Sequence, residues 1–390
     1  MSAPLQFDPF DPAVKANPYP FYAALRRQAP VFHVAAKGMW AVSRHADVAA
    51  ALKRPDVFSS SINSDRAEIP ARETLLGSDP PDHTALRKRV ERAFTPSRIR
   101  ALEPRLDALA GELVAAVAPR GACDVIADLA SPLPVIVIAE LMGVDPARHS
   151  EFKLWADAII ARGTGRPSAL DRATLDARAG ALKTYLAEVI EARRASPGDD
   201  LVSALVRDDA DVSGLSPAQA LNFAVLLLLG GSETTTHLIG NALRALLADG
   251  EALARASTQL GALDAAVDEA LRFDAPVQSV FRRTTAEVEL GGQRIPAGAT
   301  VILLLGSANR DEAVFDEPDR FRLDRPDLKH LAFGLGPHYC LGATLARLEA
   351  RAALQPLLAL PDLRAATSGA ELIDSFVLRG PRALPVTFGA

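Results

Sequence analysis

A mainly α chain with a minor β portion, folded as one domain over residues 1–390, is what this sequence predicts, and three observations predict it. Ala, Leu and Arg dominate stretches such as RIRALEPRLDALAGELVAAVA and ALKTYLAEVIEARRA, where apolar residues recur at three and four, the spacing of one helix face. Strand signals are confined to three short places. No internal repeat and no low-complexity linker divides the chain, although its length alone suggests roughly two or three domains.

Composition narrows the classes. Apolar residues make up 49% and charged residues 23%, which provides for a large core and argues against global disorder. A net charge of -5 is too close to neutral to suggest a nucleic-acid partner. Only Cys123 and Cys340 are present, so a reducing compartment is expected rather than a disulfide scaffold. The N-terminus MSAPLQFDPFDPAVKANPYPFYAALRR has no basic segment followed by an apolar one, so no signal peptide is expected. The most apolar run, FAVLLLL at 223–229, is far short of the roughly 20 residues that span a bilayer. Without a membrane anchor, a soluble, cytoplasmic protein is expected.

Taken in order, FHVAAKGMWAVSR resembles a hairpin with a Lys-Gly turn. DPPDHTALRKRVERAF, 79–94, opens on Pro-Pro and sets His83 and Arg87 four apart on one helical face. RASPGDDLVSAL reads as a loop between helices. Ser216 as N-cap and Pro217 at the first helical position start a helix of about 32 residues, roughly 48 Å, that stops before Gly250. It is apolar on most faces through 223–229, and Gly230-Gly231 then interrupts it ahead of Ser232, Glu233, Thr234, Thr235 and Thr236. A packing crossover would explain that cluster; a functional site explains it better, since buried polar groups beside two glycines cost stability. Glu269 and Arg272 stand three apart in AVDEALRF. VELGGQRIPAGATVILLL, 288–305, carries a Gly291-Gly292 turn, a Pro-Ala-Gly turn and a β-branched run. SFVLRGPRALPVTF at the C-terminus reads as a further short hairpin.

FGLGPHYCLG, 333–342, places Cys340 among three glycines with His338 two residues before it. A zinc site would need three or four ligands and a disulfide a partner. Taken alone the loop leaves its chemistry open.

Three motifs in order close that question. F-G-x-G-x-H-x-C-x-G at Phe333–Gly342, G-x-E-T-T at Gly231–Thr235 and E-x-x-R at Glu269–Arg272 resemble the cytochrome P-450 family of haem-thiolate monooxygenases. NPYPFYAALR, DPPDHTALRKRVERAFTP, ANRDEAVFDEPDRF and the ending LPVTF extend the resemblance to soluble bacterial members over nearly the whole chain. It implies the P-450 fold, with haem b between the long helix and the cysteine loop and its iron held by Cys340. Gly334 and Gly336 would then supply positive φ, Gly342 close approach, and the following helix N-terminus a preference for thiolate. By the same resemblance His83, Arg87, Arg282 and His338 hold the haem propionates, and Glu269–Arg272 supports the fold. Glu233 and Thr234 match the acid–alcohol pair that delivers protons during oxygen activation. Cys123, His237 and His330 are expected to be structural.

The implied activity is insertion of one oxygen atom from O2 into a hydrophobic small molecule such as a fatty acid, steroid or terpenoid. Epoxidation, demethylation or coupling on the same haem, and a non-catalytic haem-thiolate sensor, are the alternatives; the Glu233–Thr234 pair speaks against the last. No reductase fits beside the haem domain, so a separate ferredoxin and an NAD(P)H-dependent ferredoxin reductase are expected, with the chain itself a monomer. RKRVERAFTPSRIR, 87–100, carries six basic residues against Glu91 and is either a docking patch for an acidic ferredoxin or a solvated helix face. Leu226, Leu229, Gly230, Val280, Phe376 and Val377 are expected to line the substrate pocket. Residues 59–78 would form its lid, where Arg66 and Arg72 either meet a substrate carboxylate or face solvent.

Overall fold

The helical periodicity is realised around the long helix. In this computed structural model, which describes residues 5–64, 74–164, 170–208, 213–367 and 369–389, that helix runs Pro217–Ala248 without a break. Gly230 and Gly231 lie inside it as ordinary helical residues, so the expected interruption is not there. Its start is the one read from sequence. The Ser216 side chain accepts from the Gln219 amide at 3.2 Å, the Gln219 side chain accepts from the Ser216 amide at 3.1 Å, and Pro217 stands first in the helix. Helices Pro132–Leu141, His149–Thr164, Arg172–Ala195, Ala262–Phe273 and Ala343–Leu358 pack on it. Leu182, Leu186, Leu243, Leu246, Leu354 and Leu357 share the resulting core. RASPGDDLVSAL is an interhelical loop, with Asp200 capping the short helix Leu201–Val206.

The β portion forms a separate layer. Val31–Val34 and Met39–Val42 pair as a hairpin, with Gly38 in the left-handed region at φ 62°. The β-branched run Thr300–Leu303 lies parallel to Met39–Val42 and antiparallel to Val280–Thr284, and Phe58–Ser59 closes the sheet. Val288–Leu290 and Gln293–Ile295 turn at Gly291-Gly292 as expected. The C-terminal segment differs from its expectation. Pro385–Thr387 pairs with Ala122–Asp124 on one side and Arg364–Ala365 on the other, and the isolated bridges of Leu378 and Pro381 also go to residues outside the segment, Val277 and Leu372. Arg66 and Arg72 lie outside the described residues.

Glu269 and Arg272 are both fully buried and paired twice, at 2.8 and 2.7 Å. The remaining Arg272 N–H groups donate to the carbonyls of Asn309, Pro318 and Arg320. Glu269 also accepts from the Arg322 amide and from Arg325 Nε. All five guanidinium donors are used, and the irregular stretch 309–325 is tied to one helix face through them. Removing one partner of such a pair leaves an uncompensated buried charge, a loss of about 3–5 kcal/mol. Arg272→Ala therefore lowers the Tm of the protein strongly, and Arg272→Lys recovers little of it because an ammonium cannot meet five acceptors. Thermal unfolding followed by circular dichroism checks this; a Tm like that of wild type in Arg272→Ala would show that the knot is not structural.

Candidate active site

The cysteine loop is held by backbone. The Cys340 amide donates to the Phe333 carbonyl at 2.9 Å, closing a turn that needs Gly334 at φ 71° and Gly336 at φ 73°. A Cβ on Gly336 would come within 2.6 Å of the Leu52 carbonyl oxygen, so no other residue fits there. Cys340 then lies three residues before the helix Ala343–Leu358, and the Gly342 amide hydrogen-bonds its sulfur. Burial nevertheless pushes the thiol above its ordinary range, against that amide and the charges of Arg87 and Arg347. The helix N-terminus alone does not make a thiolate here; a bound metal cation does.

Cationic and imidazole groups crowd the rim of the same cavity. His83 and Arg87 stand on the helix Asp82–Glu91, and Arg282 follows Val280 by two on one face of its strand. The rings of His83 and His338 lie 4.1 Å apart, and His338 Nε2 meets the Ser60 hydroxyl at 3.0 Å. Arg87 donates to Glu91 at 2.6 Å and to the Tyr339 carbonyl at 2.7 Å. Crowding shows in the ionisation. Burial, then His83, Arg282 and Arg87, push His338 down to about 3, and burial lowers Arg282 to about 10. His83 is lowered by burial and then by Arg87, and neither of its buried ring nitrogens has a partner among the described residues.

The long helix forms the opposite wall. Phe223, Leu226, Leu227, Gly230, Gly231, Thr234, Thr235 and Leu238 follow one another at three and four along the face turned to a cavity of about 480 Å³. Val280 and Val377 line it too, as do Cys340 and the four rim residues. Leu229 and Phe376 do not. Leu229 is a helix step away from Gly230 and packs into the helical core, while Phe376 packs edge-on against Phe10 and Phe281. Glu233 also faces elsewhere, into a second cavity behind the helix. The two members of the acid–alcohol pair thus stand on opposite sides of one helix wall, and the Thr234 hydroxyl donates to the Gly230 carbonyl.

These residues fit a flat macrocycle with two carboxylates and a thiolate-held iron. Gly230 and Gly342 face open space, where an added Cβ would meet nothing within 4 Å, and His83, its ring nitrogens without a hydrogen-bond partner among the described residues, stands beside His338 for the carboxylates. Among the described residues no group of three His, Cys, Asp or Glu could hold a bare metal ion. The family model for cytochrome P450 matches residues 171–364. Cytochrome P450 109 of Bacillus spizizenii is 38% identical over 95% of this chain and 91% of its own. The chain belongs to the cytochrome P450 family. P450 structures bear this out. That of CYP109Q5 from Chondromyces apiculatus superposes with a TM-score of 0.91 at 40% identity over 99% of both chains. That of CYP109E1 from Bacillus megaterium in complex with corticosterone gives 0.88 at 32% identity, over 97% of this chain and 100% of that one. The protein is therefore a monooxygenase that carries haem b on a cysteine thiolate and uses O2, a redox partner and a hydrophobic substrate. No helix among the described residues is long and apolar enough to cross a membrane.

Two residues escaped the sequence reading of this P450, and a third, His237, was read only as structural. Arg325 completes the Glu269–Arg272 knot from 53 residues beyond Arg272, a distance at which no local spacing signals it. His237 adjoins Glu233, and the i, i+4 interval was its only signal. Glu349 is a lone acid on the buried face of Ala343–Leu358, between Leu345 and Ala353, which is the irregularity that could have marked it. Cys123, expected in the core, is half-buried at its margin.

Glu349 sets a pH dependence. Burial pushes its carboxyl up to about 8, against a hydrogen bond from Thr235. The folded protein keeps this proton where the unfolded chain, near pH 4.3, has lost it. Stability from this group is therefore lost as pH rises from about 4.3 to 8 and is flat beyond. Glu349→Gln keeps the neutral shape at every pH, so its Tm advantage over wild type grows from pH 5 to pH 8. A gap independent of pH would show Glu349 to be ionised at both.

Proposed function

We propose that this P450 inserts one oxygen atom into a C–H bond of a rigid, apolar small molecule of the steroid kind. The observation that carries the reading is the wall opposite the thiol. Phe94, Phe223, Leu226, Leu227, Val280 and Val377 face the cavity with no charged side chain among them, which suits a substrate that gains by leaving water. The related CYP109E1, which holds corticosterone, supports a polycyclic ligand over a flexible fatty acid.

Roles follow from position. Cys340 is the thiolate, the one cysteine in the cavity, and His83, Arg87, Arg282 and His338 bind the two propionates by charge-assisted hydrogen bonds. Haem b, when bound, supplies oxygen activation and the oxidising power for C–H cleavage. Thr234 offers its hydroxyl to the cavity by turning from the Gly230 carbonyl, so that it donates a hydrogen bond towards reacting oxygen. Glu233 holds the proton on the far side of the wall, away from substrate. The Gly230–Gly231 turn keeps that wall free of side chains between them. The apolar face excludes bulk water, so protons arrive only through these groups.

Electrons come from a separate ferredoxin and its NAD(P)H-dependent reductase. In this reading the 390 residues make a single haem domain that receives its electrons from a partner. Two thiols without a disulfide suit the cytoplasm. Lys88, Arg98 and Arg100 are exposed, Arg98 with one donor on the Asp199 carbonyl, whereas Arg89 is bonded to Gln219 and Arg87 is turned inward. The three exposed cations are the docking charges for an acidic ferredoxin.

Optical spectra test the first reading. The reduced carbon monoxide complex has the red-shifted Soret band of a thiolate ligand, which Cys340→Ser abolishes; corticosterone moves the ferric wild-type band towards high spin. Survival of the carbon monoxide band in Cys340→Ser would remove Cys340 as ligand, and a ferric spectrum indifferent to corticosterone would remove the steroid class. Reversing Lys88, Arg98 and Arg100 to Glu raises the KM for ferredoxin several-fold and weakens its dependence on salt. Unchanged reduction kinetics would place the docking face elsewhere.

A further inference from the structure

One buried titratable group has no part in the scheme above. His237 lies one helical turn beyond Glu233, 3% exposed, with Nε2 3.8 Å from Glu233 Oε1. That is too long for a direct hydrogen bond and suits one bridging water. Neither ring nitrogen of His237, nor Glu233 Oε2, nor Ser232 Oγ has a partner among the described residues. An atom of this kind is costly to leave dry. All three side chains line the second cavity, about 450 Å³, which they share with Ile126, Ile160 and Leu378 and which is roomy enough for water beside them. Its outer wall includes Asp374 and Arg382, both exposed.

The chain is shaped around this ring. A Cβ on Gly380 would come within 2.2 Å of His237 Nδ1, so only glycine lets the C-terminal loop lie on the imidazole. The charges facing the cavity are few. The long helix gives Glu233, and the C-terminal loop gives Asp374, paired with Lys15, and Arg382, paired with Glu371. The neighbouring segments contribute Ile126, Ser131 and Ile160, which carry no charge.

We propose that His237 holds the proton that resupplies Glu233, taking it from water in this second cavity. The imidazolium N–H bond breaks and a carboxyl O–H bond forms on Glu233 through the bridging water. The neutral ring then regains a proton from bulk solvent along the cavity. The ring ends as it began, and one solvent proton has reached Glu233. Imidazole suits the task because its ordinary ionisation lies near neutral pH. His237 acts only through Glu233, and the inference rests on the Glu233–Thr234 relay described above.

Two readouts on the haem-loaded protein test it. In the ferrous carbon monoxide form labelled with nitrogen-15 histidine, the His237 ring exchanges between its protonated and neutral forms, and Glu233→Gln moves the balance towards the neutral ring. During NADPH oxidation with ferredoxin, reductase and corticosterone, His237→Gln and His237→Phe raise the peroxide formed per NADPH several-fold. They also erase the dependence of that ratio on pH. A His237 ring fixed in one protonation state, or a peroxide ratio and pH profile like those of wild type in both variants, overturns the proposal. Thr234→Ala separates the two levels. If it alone raises peroxide, His237 is structural and the relay stands; if it too leaves the ratio unchanged, the relay reading falls and His237 with it.

Discussion

The Glu269–Arg272 pair is the interaction on which the rest of this P450 depends. A guanidinium with no exposure must have every donor met or it cannot be buried at all. Arg272 meets that demand with one carboxylate and three backbone carbonyls between 309 and 320. The carboxylate in turn holds Arg322 and Arg325. A stretch with almost no regular structure thereby becomes as fixed as a helix. It leads directly into the loop that presents Cys340, so the position of the thiol is inherited from a charge pair that never touches it.

The second constraint is the long helix, which works as a partition. Because it is continuous, residues one step apart face different spaces. Thr234 lines the cavity that holds Cys340, and Glu233 lines a second cavity behind. Oxygen activation needs protons delivered singly to a site from which water is otherwise excluded. In the proposed relay, the continuous helix wall between the two cavities provides that separation.

Local features were readable and remote ones were not. The Ser216–Gln219 capping box, the Gly38 turn and the Gly291-Gly292 hairpin depend on residues within a few positions of one another, and each was legible. The C-terminal strand was misread as a hairpin because its partner, Ala122–Asp124, lies some 260 residues away. Gly230-Gly231 was misread as a break because isolated propensity penalises glycine, whereas packing holds the helix straight through it. Leu229 and Phe376 were placed on the pocket by position in the family pattern; helical phase removed the first and edge-on aromatic packing the second.

The sequence by itself determined the chemistry. A thiol in a glycine-rich loop, an acid beside an alcohol and the Glu-x-x-Arg pair are local patterns, and their order along the chain identifies a haem-thiolate oxygenase. Only the tertiary structure decided how those groups are divided. That a second cavity forms beside Glu233, that Gly380 lies over the His237 ring, and that Arg325 closes the buried knot all follow from contacts between distant segments. Such contacts are set by how helices pack rather than by neighbouring residues, so no spacing along the chain could have announced them.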